Sequence, residues 1–576
     1  MEKSKQGKKS NLDRILVVGR YLAGTPLPEI LFVYTLILAR WWRNSDFSYP
    51  SEVTIPLIIF TVVTTIICYT YRLILKEPFA VHIAALLLSF SFYRYDSIQH
   101  NRPGSWLYNL LPDKWTTLTS SLVMAAALLV ICGLIGWSAA RLVKRYEILQ
   151  QLELYKVLMF AIGFIFVVQL GRVGLRYTQI YNELQYQYPA ITTTKTIASS
   201  VGRPDIYYLV FDRYGNTETL KNIYGYDNSG LLNYLGKQGF VTRDSAYANY
   251  PFTMSSVAST LAMDYFPQFE SMFSGDSNWQ SAYPYRSILN NSPLSLLLKA
   301  NGYETSQVSS WWDFTRIGIS ADHHPGQAFR LKAFGGRWYL SDLQRDVVNT
   351  SILAPWLKIG IGSVLKYDLA LNPKENLETQ ISSLKAIASR SDKSAPQFAF
   401  AHILVPHEPY LFNPDGSDTS YDVNRNDWGA DEKVKYTNQV SYINKRIKEL
   451  VGSIRKNSPN AAIVIQADEG PYPKEFRFEL TRDHYYNPAD LPLAQMKQKF
   501  SILASYYLPG LPLDEVKKIN SSVNIFRFVL SRYLGYDLPP LPDCHLATGD
   551  KFNVYTYQLV NDKLEGFTPA GCQQYE

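Results

Sequence analysis

Hydrophobic and polar positions are spread very unevenly along the 576-residue chain. Long apolar stretches fall almost entirely within the first 175 residues. The remainder mixes short apolar runs with many Tyr, Asp, Asn and Pro, as a globular domain does. Five early segments read as membrane helices: 25–42, 53–75, 78–94, 117–140 and 155–174. About 20 apolar residues suffice to cross the hydrocarbon of a bilayer; the third segment is short and carries His82. After residue 203 the pattern changes. "DIYYLVFDRYG", "FAFAHILVPHEPY" and "AAIVIQADEG" are strand-like runs ending at Asp212, around His407 and at Asp468-Glu469. Between them lie helix-patterned stretches such as "NSPLSLLLKANGY" and "YTNQVSYINKRIKELVGSIRKN". Apolar strands alternating with amphipathic helices predict an α/β sandwich on a mostly parallel sheet. The chain shows no internal repeat and no low-complexity tract.

These textures divide the chain into a basic N-terminus (1–24), a transmembrane domain of about five helices (25–174), a polar juxtamembrane connector (175–203), an α/β domain (204–543) and a tail (544–576). Lys3, Lys5, Lys8, Lys9, Arg14 and Arg20 crowd the start, Arg72 and Lys76 follow the second segment, and Arg141, Lys144, Arg145 and Lys156 separate the fourth from the fifth. Kept inside, these charges place the N-terminus in the cytoplasm, and five crossings put everything after 175 outside. No small-residue cleavage pattern follows the first helix, so it does not read as a removable signal peptide.

The mean hydropathy of −0.13 averages over this division. The net charge of +7 lies largely in the cytoplasmic loops and calls for no nucleic acid. Cys68 and Cys132 fall in membrane helices. Cys544 and Cys572 are the two in the outer domain, where an oxidising exterior allows either a bridge clipping the tail or two structural thiols.

In open α/β sheets ligands gather beyond the carboxyl ends of the strands. Three strands here deliver polar residues at that end: Asp212; His402 and His407; Asp468 and Glu469. A lone Asp after a strand is usually a turn residue; three such ends together point to a site.

The order of these pieces resembles the alkaline phosphatase/sulfatase superfamily, and within it the membrane-anchored phosphotransferases of the lipoteichoic acid synthase and phosphoethanolamine transferase type. The likeness runs through roughly 204–510. "PDIYYLVFDRYG" resembles the first strand with its metal-binding Asp, and "GFVTRDSAYANYPFTMSSVASTLAM" the segment with the nucleophile, at Thr253. "NGYETSQVSSW" resembles the Gly-Tyr-x-Thr strand, "HILVPHEPYLF" the histidine-bearing strand end, and "IVIQADEGP" the Asp-His-Gly signature. Two departures stand out. The stretch Thr253-Met254-Ser255-Ser256-Val257 replaces the Cys-x-Pro-Ser-Arg setting that sulfatases oxidise to formylglycine, which argues against sulfate-ester hydrolysis by that route. Glu469 stands where the family has His.

The resemblance implies one divalent metal held by Asp212, Thr253, Asp468 and Glu469. An all-oxygen set of hard ligands suits Mn²⁺ or Mg²⁺ ahead of Zn²⁺ or Ca²⁺. Thr253 is then the nucleophile, with His407 and Arg213 orienting or neutralising the phosphate and His402 and His484 contacting substrate. His323 and His324 read as a surface pair. Trp311, Trp312 and Trp338 are open to either sugar stacking or core packing. The implied reaction moves a phospho-substituted head group, phosphoglycerol or phosphoethanolamine in type, from a membrane lipid donor to an envelope glycan or glycolipid through phospho-Thr253. The alternatives are a metal-free domain that only binds envelope glycan or lipid, and a plain phosphodiesterase.

Overall fold

The computed structural model describes residues 25–95, 117–146, 151–195, 202–273, 281–326, 341–352, 373–392, 394–419, 431–473, 488–549 and 554–576. The chain forms two compact units: Met1–Tyr181 with Ala328–Ala370, and Asn182–Gln327 with Leu371–Glu576. The stretch expected over 204–543 is thus interrupted. The described residues 341–352 fall in the first unit, and the described tail after 543 falls in the second.

The first unit holds helices α1 (Leu27–Arg43), α2 (Thr54–Ile74), α3 (Pro78–Tyr93), α4 (Thr117–Tyr146) and α5 (Gln151–Gln179). Pro28 and Pro78 sit in the first turns of α1 and α3, where a missing N–H costs nothing. Helices stand at all five expected places, but among the described residues only three stretches, Pro50–Ile74, Leu122–Arg145 and Lys156–Gln179, are long and apolar enough to cross a membrane. The helices α1 and α3 have 17 and 16 residues. Ile58, Ile66, Leu73, Phe160 and Val167 are each more than half exposed, as side chains facing hydrocarbon are. Between α3 and α4 the backbones approach closely: a Cβ at Gly136 would stand 3.0 Å from that of Ala84. A helix over Asp342–Asn349 also belongs to this unit. Gln344 donates to the Glu52 carbonyl at 2.8 Å, Arg40 to Thr350 at 2.9 Å, and Val347 packs with Val33, Ile37, Phe60 and Tyr93.

The second unit is built on a six-stranded sheet. Its strands are β1 (Ile206–Phe211), β2 (Val241–Thr242), β3 (Glu304–Val308), β4 (Gln397–Ile403), β5 (Ala462–Gln466) and β6 (Ala504–Tyr507), in the order β2-β6-β5-β1-β4-β3. The four strands β5, β1, β4 and β3 run parallel, and β6 and β2 close one edge antiparallel. Every residue of β1, β4 and β5 is buried, as their near-continuous apolar runs require of strands covered on both faces.

Register then places the site. Val210 pairs with His402 on one side and with Gln466 on the other. Side chains alternate along a strand with period two, so His402, Asp212 and Asp468 all leave the same face at the carboxyl end. The turn after β5 is pressed against residues 498–501. The Gly470 N–H donates to the Lys499 carbonyl at 2.9 Å, and a Cβ at 470 would run into the carbonyl oxygens of Gln498, Lys499 and Ser501. Gly470→Ala is therefore expected to cost on the order of 3 kcal/mol or more, seen as a lowered thermal midpoint.

Candidate metal and nucleophile site

Asp212, His402 and Asp468 are buried, and one ligand-type atom from each lies within 4.8 Å of the others. His402 Nε2 stands 3.4 Å from Asp212 Oδ2 and 4.0 Å from Asp468 Oδ2. His402 Nε2, Asp212 Oδ1 and Asp468 Oδ2 make no hydrogen bond, and a buried polar atom without a partner calls for an explanation.

The hydrogen bonds behind His402 fix its tautomer. The Trp312 carbonyl can only accept, so the Ser310 hydroxyl spends its proton there, at 3.0 Å. The Thr315 hydroxyl must then donate to Ser310 Oγ at 2.8 Å. His402 Nδ1 must in turn carry the proton it shares with Thr315 Oγ1 at 2.9 Å. With Nδ1 so protonated, Nε2 faces two carboxylates, whose charge is balanced there by a proton or by a metal cation. Two carboxylates and an imidazole oriented from behind are a fitting donor set for a divalent ion.

Charges at the site pull in opposite directions. Burial, with the negative charges of Asp212 and Glu469, pushes the Asp468 carboxyl up to about 7. Burial also acts to raise Asp212, but His407 and His402 outweigh it and hold that carboxyl below its ordinary value. For His402, burial favours the neutral ring and is outweighed by Asp212, so its pKa is raised.

Thr253 opens the helix α6 (Thr253–Ala262), beside the Asp468 carboxylate. The first N–H groups of a helix have no intrahelical acceptor and favour an anion, so Thr253 combines a hydroxyl with an anion-binding position.

Glu469 lies beside this cluster rather than in it. One oxygen accepts from Arg213 Nε at 2.8 Å and the other from Lys499 Nζ at 2.6 Å, with both Glu469 and Lys499 fully buried. Lys499 closes the helix α9, which follows α7 (Pro373–Ala388) and α8 (Glu432–Asn457) and spans Leu493–Phe500. Its ammonium lies 3.6 Å from the centre of the Tyr472 ring, and burial pulls its pKa down to about 8. Arg213 donates also to Glu408, at 2.6 Å, and stacks 3.7 Å over Tyr472. It has φ +59°, a left-handed conformation that costs a non-glycine residue roughly 1–2 kcal/mol. Tyr436 holds that turn, donating to the Arg213 carbonyl at 2.9 Å and accepting from Gly215 N–H at 3.1 Å.

The remaining expected residues scatter. His407 is half-buried and its backbone N–H bonds the Asp212 carbonyl at 3.1 Å. Trp312 packs edge-on against His402 at 5.7 Å. His324 is buried, with Nε2 2.7 Å from the Gly318 carbonyl, and His323 is exposed. His484 and Trp338 lie outside the described residues. Cys544 and Cys572 are joined in a disulfide.

A family model described as Sulfatase matches residues 206–532, more than half of the chain. The chain belongs to the sulfatase family. Among solved structures, this sulfatase-family chain is similar to the C-terminal periplasmic domain of EptC from Escherichia coli in complex with zinc, with 13% identity over 68% of this chain and 99% of that one and a TM-score of 0.39. It is also similar to lipooligosaccharide phosphoethanolamine transferase A from Neisseria meningitidis (11% identity, 89% and 95% covered, TM-score 0.39). A third is the lipoteichoic acid synthase LtaP from Listeria monocytogenes (10%, 69% and 94%, TM-score 0.32). No curated protein sequence matches it.

Two expectations follow for this sulfatase domain. His402→Gln should weaken Zn²⁺ or Mn²⁺ binding about 100-fold or more, since even residues behind a metal ligand typically contribute 10–100-fold. Glu469→Gln should leave metal content unchanged. Lys499→Met, which strands a buried carboxylate, should cost roughly 3–5 kcal/mol of stability. Metal analysis and thermal melts of the three variants check this. The second concerns pH. An acid whose folded pKa lies above its unfolded value stabilises the fold fully below the unfolded pKa, and loses that contribution as pH rises through the folded one. Chelated protein should therefore lose stability as pH rises towards and through about 7. Added Zn²⁺ or Mn²⁺ should raise the melting temperature more at pH 8 than at pH 6, because the ion competes with the Asp468 proton.

Proposed function

We propose that this chain is a membrane-bound, metal-dependent phosphotransferase of the sulfatase family. It would move a phospho-substituted head group, of phosphoglycerol or phosphoethanolamine type, from a lipid donor to an envelope glycan or glycolipid by way of phospho-Thr253. The observation that supports it best is the buried Asp212–His402–Asp468 cluster, with the Thr253 hydroxyl at a helix N-terminus beside it. With an imidazole in the set, Zn²⁺ or Mn²⁺ suits these ligands better than Mg²⁺ or Ca²⁺. The ion would supply Lewis acidity and positive charge beside the Thr253 hydroxyl. Three segments long and apolar enough to span a bilayer favour a donor that is itself a lipid. The loop charges read from the sequence put the catalytic unit outside and the N-terminus inside.

The chain's own groups divide the remaining work. The hydroxyl proton of Thr253 passes to the Asp468 carboxylate as Oγ1 attacks phosphorus. The new Oγ1–P bond forms as the P–O bond to the lipid breaks, and His407 would protonate the departing oxygen. The free N–H groups at the start of α6 receive the non-bridging phosphate oxygens. Arg213 does not serve the phosphate, since its Nε and Nη1 are engaged by Glu469 and Glu408. An acceptor hydroxyl, giving its proton to His407, then attacks the phosphorus as the Oγ1–P bond breaks and Asp468 returns its proton to Oγ1, giving two displacements at one phosphorus.

Full-length protein in detergent, supplied with Zn²⁺ or Mn²⁺ and phospholipid without acceptor, should accumulate a phosphate adduct on Thr253, detected by mass spectrometry of the peptide. Thr253→Ala should abolish the adduct and lower turnover by roughly a thousandfold or more. Undiminished turnover in that variant would remove Thr253 from the mechanism. Release of free head group into water without acceptor would favour the phosphodiesterase.

A further inference from the structure

A second group of metal-type ligands lies in the same unit, away from Thr253. Asp543, His545 and Glu565 each offer an atom within 4.8 Å of the others. Asp543 and His545 lead into the short strand β7 (Leu546–Ala547), which pairs antiparallel with β8 (Gln558–Leu559). Glu565 ends the helix Asn561–Glu565 that follows. Asp543 and His545 are buried, and Glu565 is partly exposed.

The tautomer of His545 is fixed as that of His402 is. Its Nδ1 lies 2.9 Å from the Ala248 carbonyl, which can only accept, so Nδ1 carries a proton. Nε2 makes no hydrogen bond, and Glu565 Oε1 stands 3.5 Å from it. Tyr247 and Phe500 pack edge-on against the ring, at 5.8 and 6.5 Å between centroids. The frame around the ligands is fully bonded. Asn561 accepts the His545 N–H at 2.7 Å and donates to the Asp543 carbonyl at 2.8 Å. Asn249 donates to Asp543 Oδ1 at 3.3 Å and to the Cys544 carbonyl at 2.9 Å. The charged groups acting on this cluster are the two carboxylates and Arg243, whose field reaches both.

We propose that Asp543, His545 and Glu565 form a second, structural divalent-metal site, selective for Zn²⁺-like ions, that fastens the C-terminal tail to the segment leading into α6. The donor set suits such an ion, with His545 backed by a carbonyl on Nδ1 in the manner of metal-bound histidines. The competing occupant of the space is a proton on Nε2. A metal here would tie the tail to Ala248 and Asn249, a few residues before Thr253. Ala547, Val560 and Leu564 of the tail already pack with Phe252 and Tyr472.

The test is zinc stoichiometry of the full-length protein in detergent, loaded with Zn²⁺ alone and freed of loosely bound ion. Wild type should hold about two ions per chain. His545→Gln and, as the milder change, Glu565→Gln should each hold about one, and His402→Gln should also hold about one while His402→Gln/His545→Gln holds none. Two ions retained in both His545→Gln and Glu565→Gln would overturn the second site. So would a histidine NMR resonance showing His545 doubly protonated in zinc-loaded protein at neutral pH. Because each site is removed by its own variant, loss of the first reading leaves the second intact: two ions in His402→Gln but one in His545→Gln would refute only the Asp212–His402–Asp468 centre.

Discussion

Everything at the carboxyl end of the central sheet answers to one constraint, the burial of negative charge. Asp212, Asp468, Glu469 and Glu408 crowd together against two fixed cations, Arg213 and Lys499. Two of the carboxylates, Glu469 and Glu408, are claimed by those cations in short ion pairs. The other two, Asp212 and Asp468, face His402 Nε2 at 3.4 and 4.0 Å, a donor set that suits a divalent ion. Carboxylates do not gather in a low-dielectric interior without such compensation. The strained turn at Arg213, the Tyr436 hydroxyl bracing it and the hydroxyl chain behind His402 all serve to hold this division of partners.

Much of this was legible in the sequence, because local pattern governs it. The runs read as ending at Asp212, around His407 and at Asp468-Glu469 hold β1, β4 and β5, which stop at Phe211, Ile403 and Gln466, and parallel register carries their ends to one place. Thr253, singled out by the resemblance, opens a helix. The five apolar segments are all helical, although two are too short to count as spans on length alone.

The misreadings have a physical cause as well. Asp468 and Glu469 are neighbours in the sequence, and neighbours in extended chain point to opposite sides. The pair was read as two ligands when only the first faces the cluster. Glu469 looks towards Lys499, thirty positions on and in no recognisable motif, so nothing local announces their contact. His402, expected to contact substrate, instead stands among the candidate ligands, because its place depends on register with β1 and on Ser310 and Thr315, far off in sequence. A signal was available: a histidine inside a run otherwise apolar, on a strand flanking the Asp212 strand, seldom goes without a partner.

The Glu469–Lys499 contact also bears on how such a site can change over generations. Histidine at 469 would leave a buried ammonium facing an imidazole, and losing the lysine first would leave a buried carboxylate short of a partner. Either single step passes through a less stable protein, whereas the double change does not. Positions 469 and 499 are therefore expected to change together. A lineage that adopts this arrangement is held to it by the depth of the valley between the two forms, independently of which substrate it uses.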